Sequence, residues 1–176
     1  MSKDMNNNII LIGFMGCGKS SLGVRLSYRL RWPLTDTDKM IERRNRMTVS
    51  EIFGRYGEEA FRQMETQCLE RLLGRKDPQV IAVGGGLPLR EANRELLGKL
   101  GTVVYLRVKA ETVCVRLAGD TTRPLLSGDR PEEKVRSLMR ERSGIYESIA
   151  DIIVDTDDRN IDDIADEVLE LRAVGN

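Results

Sequence analysis

Gly13-Phe14-Met15-Gly16-Cys17-Gly18-Lys19-Ser20 follows the apolar run Ile9-Ile10-Leu11-Ile12 and precedes Leu22, Leu26 and Leu30 at helical spacing. The pattern G-x-x-x-x-G-K-[ST] between a buried strand and a helix is a phosphate cradle. Its glycines let backbone N–H groups turn inward around an anion without Cβ clashes, and the helix start adds partial positive charge. Lys19 is expected to reach the β- and γ-phosphates of a nucleotide and the Ser20 hydroxyl to ligate Mg2+. Asp36 and Asp38 stand two apart at a predicted strand end, where one can face the nucleotide metal and the other an acceptor pocket. Taken alone, they suit an Asp-rich turn that caps the next helix. Arg62 and Glu65 lie three apart on a helical pattern, close enough to pair; a rigid guanidinium offers a fork for a carboxylate, while spacing alone favours a solvated surface ion pair. Gly84-Gly85-Gly86 permits close approach of backbone N–H groups to a substrate oxygen, or is simply a tight turn. Arg123 and Arg130 flank a polar loop. An arginine closing over a γ-phosphate would neutralise charge and exclude water; a basic solvent loop is the plain alternative. Cys17 fills a motif position open to most residues and is given no catalytic role.

The elements that must position these groups alternate. A strand over about Ile9–Phe14 leads to a helix Lys19–Arg31, and Trp32-Pro33 breaks it. A short strand around Leu34-Thr35 runs into Asp36-Thr37-Asp38, a third spans Gln79–Val83, and a helix from Pro88 reaches about Leu100. Strands at Thr102–Val108 and Ile152–Val154 follow, each with a helix behind it, the last carrying Ile161, Ile164, Ala165, Val168 and Leu169 on one face. Apolar strands with helices between them predict a parallel five-stranded sheet covered on both sides, a three-layer α/β/α architecture in one domain. In such folds ligands bind beyond the carboxyl ends of the strands, where Gly13–Ser20, Asp36–Asp38 and Gly84–Gly86 all fall. Two insertions interrupt the alternation. Residues of about 37–74 form a helical insertion with the capping box Thr48-x-x-Glu51, and about 119–130 form a mobile loop.

Composition narrows the chemistry. The 176 residues carry 28 Lys plus Arg against 28 Asp plus Glu, so no global basic field recruits nucleic acid. With no histidine in the chain, imidazole catalysis and His-based metal sites are excluded, and any proton acceptor is a carboxylate or water. Cys17, Cys68 and Cys114 are odd in number and widely spaced, which fits a reducing compartment. The short polar start and the lack of any run near ~20 apolar residues lead to the expectation of a soluble cytoplasmic protein.

Taken in order and spacing, GFMGCGKS at 13–20, DTD at 36–38, GEEAFRQME at 57–65, VIAVGGGLP at 80–88, RLAGDTTRPLL at 116–126 and RSGIYESIA at 142–150 make the chain resemble the shikimate kinase family from Ile9 to about Leu171. The resemblance implies the P-loop kinase fold and ATP-dependent phosphorylation of the 3-hydroxyl of shikimate. On it, Gly13, Gly16, Cys17, Gly18, Lys19, Ser20 and Ser21 hold ATP, Ser20 and Asp36 hold Mg2+, and Arg116 and Arg159 flank adenine. Asp38 binds the hydroxyls and accepts a proton, Arg62 and Arg142 grip the carboxylate, Gly84–Gly86 line the substrate pocket, and Arg123 is the lid arginine on the transferring phosphate. Ile161 departs from the proline that family members often carry beside Arg159. Shikimate and ATP are the implied partners, with no nucleic acid or membrane and a monomer expected. A gluconate kinase on the same scaffold, or a nucleotide-binding module without catalysis, are the competing readings; N-K-x-D and D-x-x-G, which a GTPase switch would carry, do not occur.

Overall fold

β1 (Asn8–Ile12) is buried along its whole length, as an uninterrupted apolar run in a two-sided sheet requires. The computed structural model describes residues 7–118 and 130–175. β1 lies at the centre of a parallel five-stranded sheet in which β2 (Leu34–Asp36), β3 (Val80–Ala82), β1, β4 (Gly101–Arg107) and β5 (Ile152–Asp155) stand side by side in that order. Ile10 faces Ile81 on one side and Val103 on the other, and these β-branched pairs make the middle of the core. Asn8 pins the strand entrance: its buried amide donates to Leu100 O at 2.8 Å and its carbonyl accepts from Gln79 N at 2.9 Å.

Among the described residues the helices are α1 (Lys19–Leu30), α2 (Thr37–Asn45), α3 (Val49–Leu73), α4 (Glu91–Leu100), α5 (Ala110–Leu117), α6 (Pro131–Ile149) and α7 (Ile161–Gly175), with a 3₁₀ turn at Leu87–Leu89. α1, in the crossover from β1 to β2, packs with the C-terminal α7, while α4 and α6, in the crossovers that flank β4, both pack on that strand. The three-layer expectation holds. No described helix is long and apolar enough to cross a membrane.

Several boundaries differ from the sequence reading. The strand expected over Ile9–Phe14 stops at Ile12, since Gly13 (φ 143°) already turns the chain away from the sheet. Thr37 and Asp38 lie in the first turn of α2, at the start of the helical insertion expected from about 37, and the Asp36 side chain caps that helix by accepting from Lys39 N at 3.0 Å, the capping turn that the spacing offered. The helix expected from Pro88 breaks at Arg90, which is extended (φ −82°, ψ 127°); Pro88 belongs to the 3₁₀ turn and α4 starts afresh at Glu91. The capping box at Thr48 and Glu51 forms as expected, but α3 is split by Gly57 (φ 81°, ψ 171°), a conformation that side chains exclude. Arg123, and the loop of about 119–130 apart from Arg130, lie outside the described residues.

Candidate active site

The phosphate loop is shaped by glycines at positive φ: Gly13 (143°), Gly16 (75°) and Gly18 (104°). A Cβ at Gly13 would lie 2.8 Å from Leu106 O, so the loop can pass over the end of β4 only without one. Gly18 caps α1 without a side-chain hydrogen bond, which leaves the first-turn N–H groups to an anion. Lys19 Nζ is folded back onto its own loop, donating to Gly13 O at 2.8 Å and Phe14 O at 3.0 Å. The loop forms one wall of a cleft of about 530 Å³ that also receives Asp36, Asp38, Gly84, Gly85, Arg116 and Arg159. Arg116 donates to Gly16 O at 2.9 Å, and Arg159 is held by Asp155 O and the Glu167 carboxylate, so the cleft is edged by two placed guanidinium groups.

The second half of the site is organised by the glycine loop after β3. Gly84 N–H donates to Thr37 Oγ1 at 3.2 Å. A Cβ at Gly84 would lie 2.6 Å from Asp38 Oδ1 and 3.0 Å from Glu65 Oε1, and one at Gly86 would overlap the Arg62 guanidinium. Close packing thus keeps Gly84 and Gly86 without side chains, which the tight-turn reading did not include. The Arg62–Glu65 pair is not a solvated surface pair: Arg62 is 11% exposed, Glu65 is fully buried, and Nη1 meets Oε2 at 2.8 Å while Nη2 reaches Glu58 at 3.0 Å. Burial pushes the Glu65 carboxyl up to about 7, with the Asp38 charge adding to the rise and Arg62 opposing it.

Arg142 on α6 is only 4% exposed, sits over the Phe14 ring at 5.7 Å, and its Nε has no hydrogen-bond partner. No described carboxylate forms a salt bridge with it. A buried cation without a counter-ion is costly, and the cost is recovered when an anion arrives. Neither Arg62 nor Arg142 lines the nucleotide cleft; both are joined to it through the glycine loop. The joining residue on the α6 side, Tyr146, donates to Gly85 O at 2.5 Å. The roles of Tyr146, Thr37 and Thr156, whose hydroxyl donates to Cys17 O at 3.3 Å, were not identified from sequence; Thr37 and Tyr146 stand inside the stretches DTD and RSGIYESIA without a role given to them, and Thr156 lies outside every quoted stretch.

Ser20 and Asp36 both face the cleft, and among the described residues no group of three acidic, Cys or His side chains could hold a metal alone. That donor set fits Mg2+, which takes one or two protein oxygens and fills its other positions with phosphate and water.

A central parallel sheet, a phosphate loop with its lysine, a carboxylate beside the cleft and buried arginines beyond it define a P-loop kinase of small molecules. The family model "Shikimate kinase" matches residues 15–172. The chain is 39% identical to shikimate kinase of Thermodesulfovibrio yellowstonii over 163 residues, covering 93% of each chain. It is 41% identical to that of Thioalkalivibrio sulfidiphilus over 170 residues, 97% of this chain and 89% of the other. Among solved structures, Acinetobacter baumannii shikimate kinase in complex with shikimate superposes with a TM-score of 0.92 at 36% identity, covering 99% of this chain and 96% of that one. A gluconokinase from Sinorhizobium meliloti, with a TM-score of 0.56 and 17% identity, shares the fold alone. The chain belongs to the shikimate kinase family, and it is an ATP-dependent phosphotransferase with an alcohol acceptor.

Proposed function

We propose that this enzyme moves the γ-phosphoryl group of ATP to the 3-hydroxyl of shikimate, as a monomer in a reducing cytoplasm, within aromatic amino-acid biosynthesis. The observation that carries the substrate choice is Arg142, a buried guanidinium with no described carboxylate paired to it, on the helix that Tyr146 ties to the same glycine loop against which the Glu65-anchored Arg62 packs. Two such forks suit a small ring carboxylate.

In this reading α2 and α3, within residues of about 37–74, bind shikimate. Arg62 and Arg142 take its carboxylate, Gly84–Gly86 offer backbone N–H groups, and Asp38 accepts hydrogen bonds from its hydroxyls. Residues 13, 16–18 and 21 cradle the phosphates, and Arg116 and Arg159 flank adenine. Ser20 and Asp36 hold Mg2+, which when bound shields the phosphate charge. Asp36 can do this while capping α2, because only Oδ1 is used by the cap. Lys19 leaves the loop carbonyls for phosphate oxygens. As the 3-hydroxyl oxygen forms its bond to the γ-phosphorus and the bond to the ADP oxygen breaks, Asp38 takes the hydroxyl proton. Arg123, within the lid assigned to about 119–130, neutralises the transferring phosphoryl group. Phosphoryl transfer asks chiefly for position and charge, so a chain without histidine suffices.

Coupled measurement of ADP release with shikimate, quinate and gluconate tests the reading. Turnover on shikimate far above the other two is expected; activity on gluconate alone refutes it.

A further inference from the structure

Tyr146 is 1% exposed. Its hydroxyl donates to Gly85 O at 2.5 Å, and Arg142 stands one helical turn earlier on the same helix, α6. The Tyr146 ring is fixed against Tyr105 of β4, with centroids 5.2 Å apart and planes tilted by 44°. Burial raises the phenol above its ordinary range, so it remains a proton donor.

We infer that Tyr146 is a positioning residue for the acceptor substrate: its hydroxyl ties α6, the helix that carries Arg142, to the glycine loop, so that the guanidinium and the loop N–H groups close on the same carboxylate. This rests on the shikimate reading of the site. A lone arginine on a 19-residue helix and a loop of three glycines are separately poorly determined; the Tyr146–Gly85 hydrogen bond holds helix and loop together as one receptor. The contact also acts through the peptide that joins Gly85 to Gly86. A hydrogen bond to Gly85 O polarises that unit and makes Gly86 N–H a stronger donor toward an anion. Tyr146 itself touches no reacting group, and its effect is expected on substrate capture more than on the transfer step.

The test is Tyr146→Phe, which removes the hydroxyl and keeps the ring. The expected result is a shikimate KM raised about 5- to 30-fold, the size of one or two lost hydrogen bonds, with the ATP KM within about twofold of wild type. In the shikimate-bound enzyme the Gly86 amide resonance should move upfield as its hydrogen bond weakens. Replacing Tyr146 by p-aminophenylalanine, which restores a donor of similar size, should return the KM close to wild type. Equal change in both KM values, no rescue by the amino analogue, or an unfolded Phe variant beside a folded amino variant that still has the raised KM would overturn the inference. If wild type turns over shikimate and Arg142→Ala raises its KM but Tyr146→Phe does not, the inference alone fails. If wild type does not turn over shikimate, the reading beneath it fails.

Discussion

Lys19 is held by two carbonyls of its own loop, a contact it must give up to reach a phosphate, so its removal should spare the fold. Lys19→Ala is expected to cut turnover by ~100-fold or more, as loss of a preorganised positive group does, with an unchanged circular dichroism spectrum. A near-normal rate would remove Lys19 from the chemistry. Arg62→Ala should raise the shikimate KM about tenfold or more over any change in the ATP KM, since hydrogen bonds between charged groups contribute about 1.5–3 kcal/mol; equal effects on both would count against a carboxylate role. Glu65 gives a prediction in pH. Its carboxyl rises from the ordinary 4.5 to about 7 in the folded chain, so the folded state holds the proton more tightly. The stability this confers is complete below about 4.5 and is lost as pH rises to about 7. Denaturation of wild type and Glu65→Gln across that range should therefore show wild type falling relative to the variant, and a constant difference would contradict a raised Glu65. Motif residues were legible from spacing: Lys19, Ser20, Asp36 and Asp38 stand in or against the cleft. The buried state of the Arg62–Glu65 pair was not, because spacing tells that two charges meet and not what covers them. Tyr146 stands in the quoted stretch 142–150, but its role had no signal: its partner is a backbone carbonyl 61 residues away, to which sequence patterns are blind.

At the scale of elements, α3 shows where local reading works and where it stops. The Thr48–Glu51 box is complete, with Glu51 Oε2 accepting from Thr48 N and Thr48 Oγ1 accepting from Glu51 N at 3.2 Å. It was readable because capping is a property of four consecutive residues. The break at Gly57 was not, since a glycine inside an apolar helical pattern equally fits a continuous helix. At φ 81° and ψ 171° it occupies a region essentially restricted to glycine. Gly57→Ala is expected to destabilise the chain by about 1–3 kcal/mol, read by chemical denaturation, and a neutral effect would show that α3 can run straight. The kink lies immediately before Glu58, Arg62 and Glu65, so it sets the angle at which that row meets Gly86. The break at Arg90 was equally hidden. Asn93, which seals it by donating to Leu87 O at 2.9 Å, reads in sequence as an ordinary helical residue.

For the whole molecule, alternation of apolar strands and helices was enough to predict a covered parallel sheet, while the insertion of β3 between β2 and β1 was not legible, because strand order is decided by long-range crossovers. That order is what matters for function. It sets the phosphate loop after β1 beside the glycine loop after β3, with Asp36 and Asp38 next along the sheet edge. Balanced charge, 28 against 28, leaves capture of the two anions to local groups and not to a surface field. A non-catalytic nucleotide-binding module would use the cleft and leave the buried arginines without work; ATP binding with no shikimate-dependent ADP release would be its signature. The most direct measurement is a crystal structure of the chain with ADP and shikimate. The ring is expected beside Asp38, its carboxylate between Arg62 and Arg142 and its 3-hydroxyl turned to the phosphate loop; a ring bound away from these three residues would contradict the assignment.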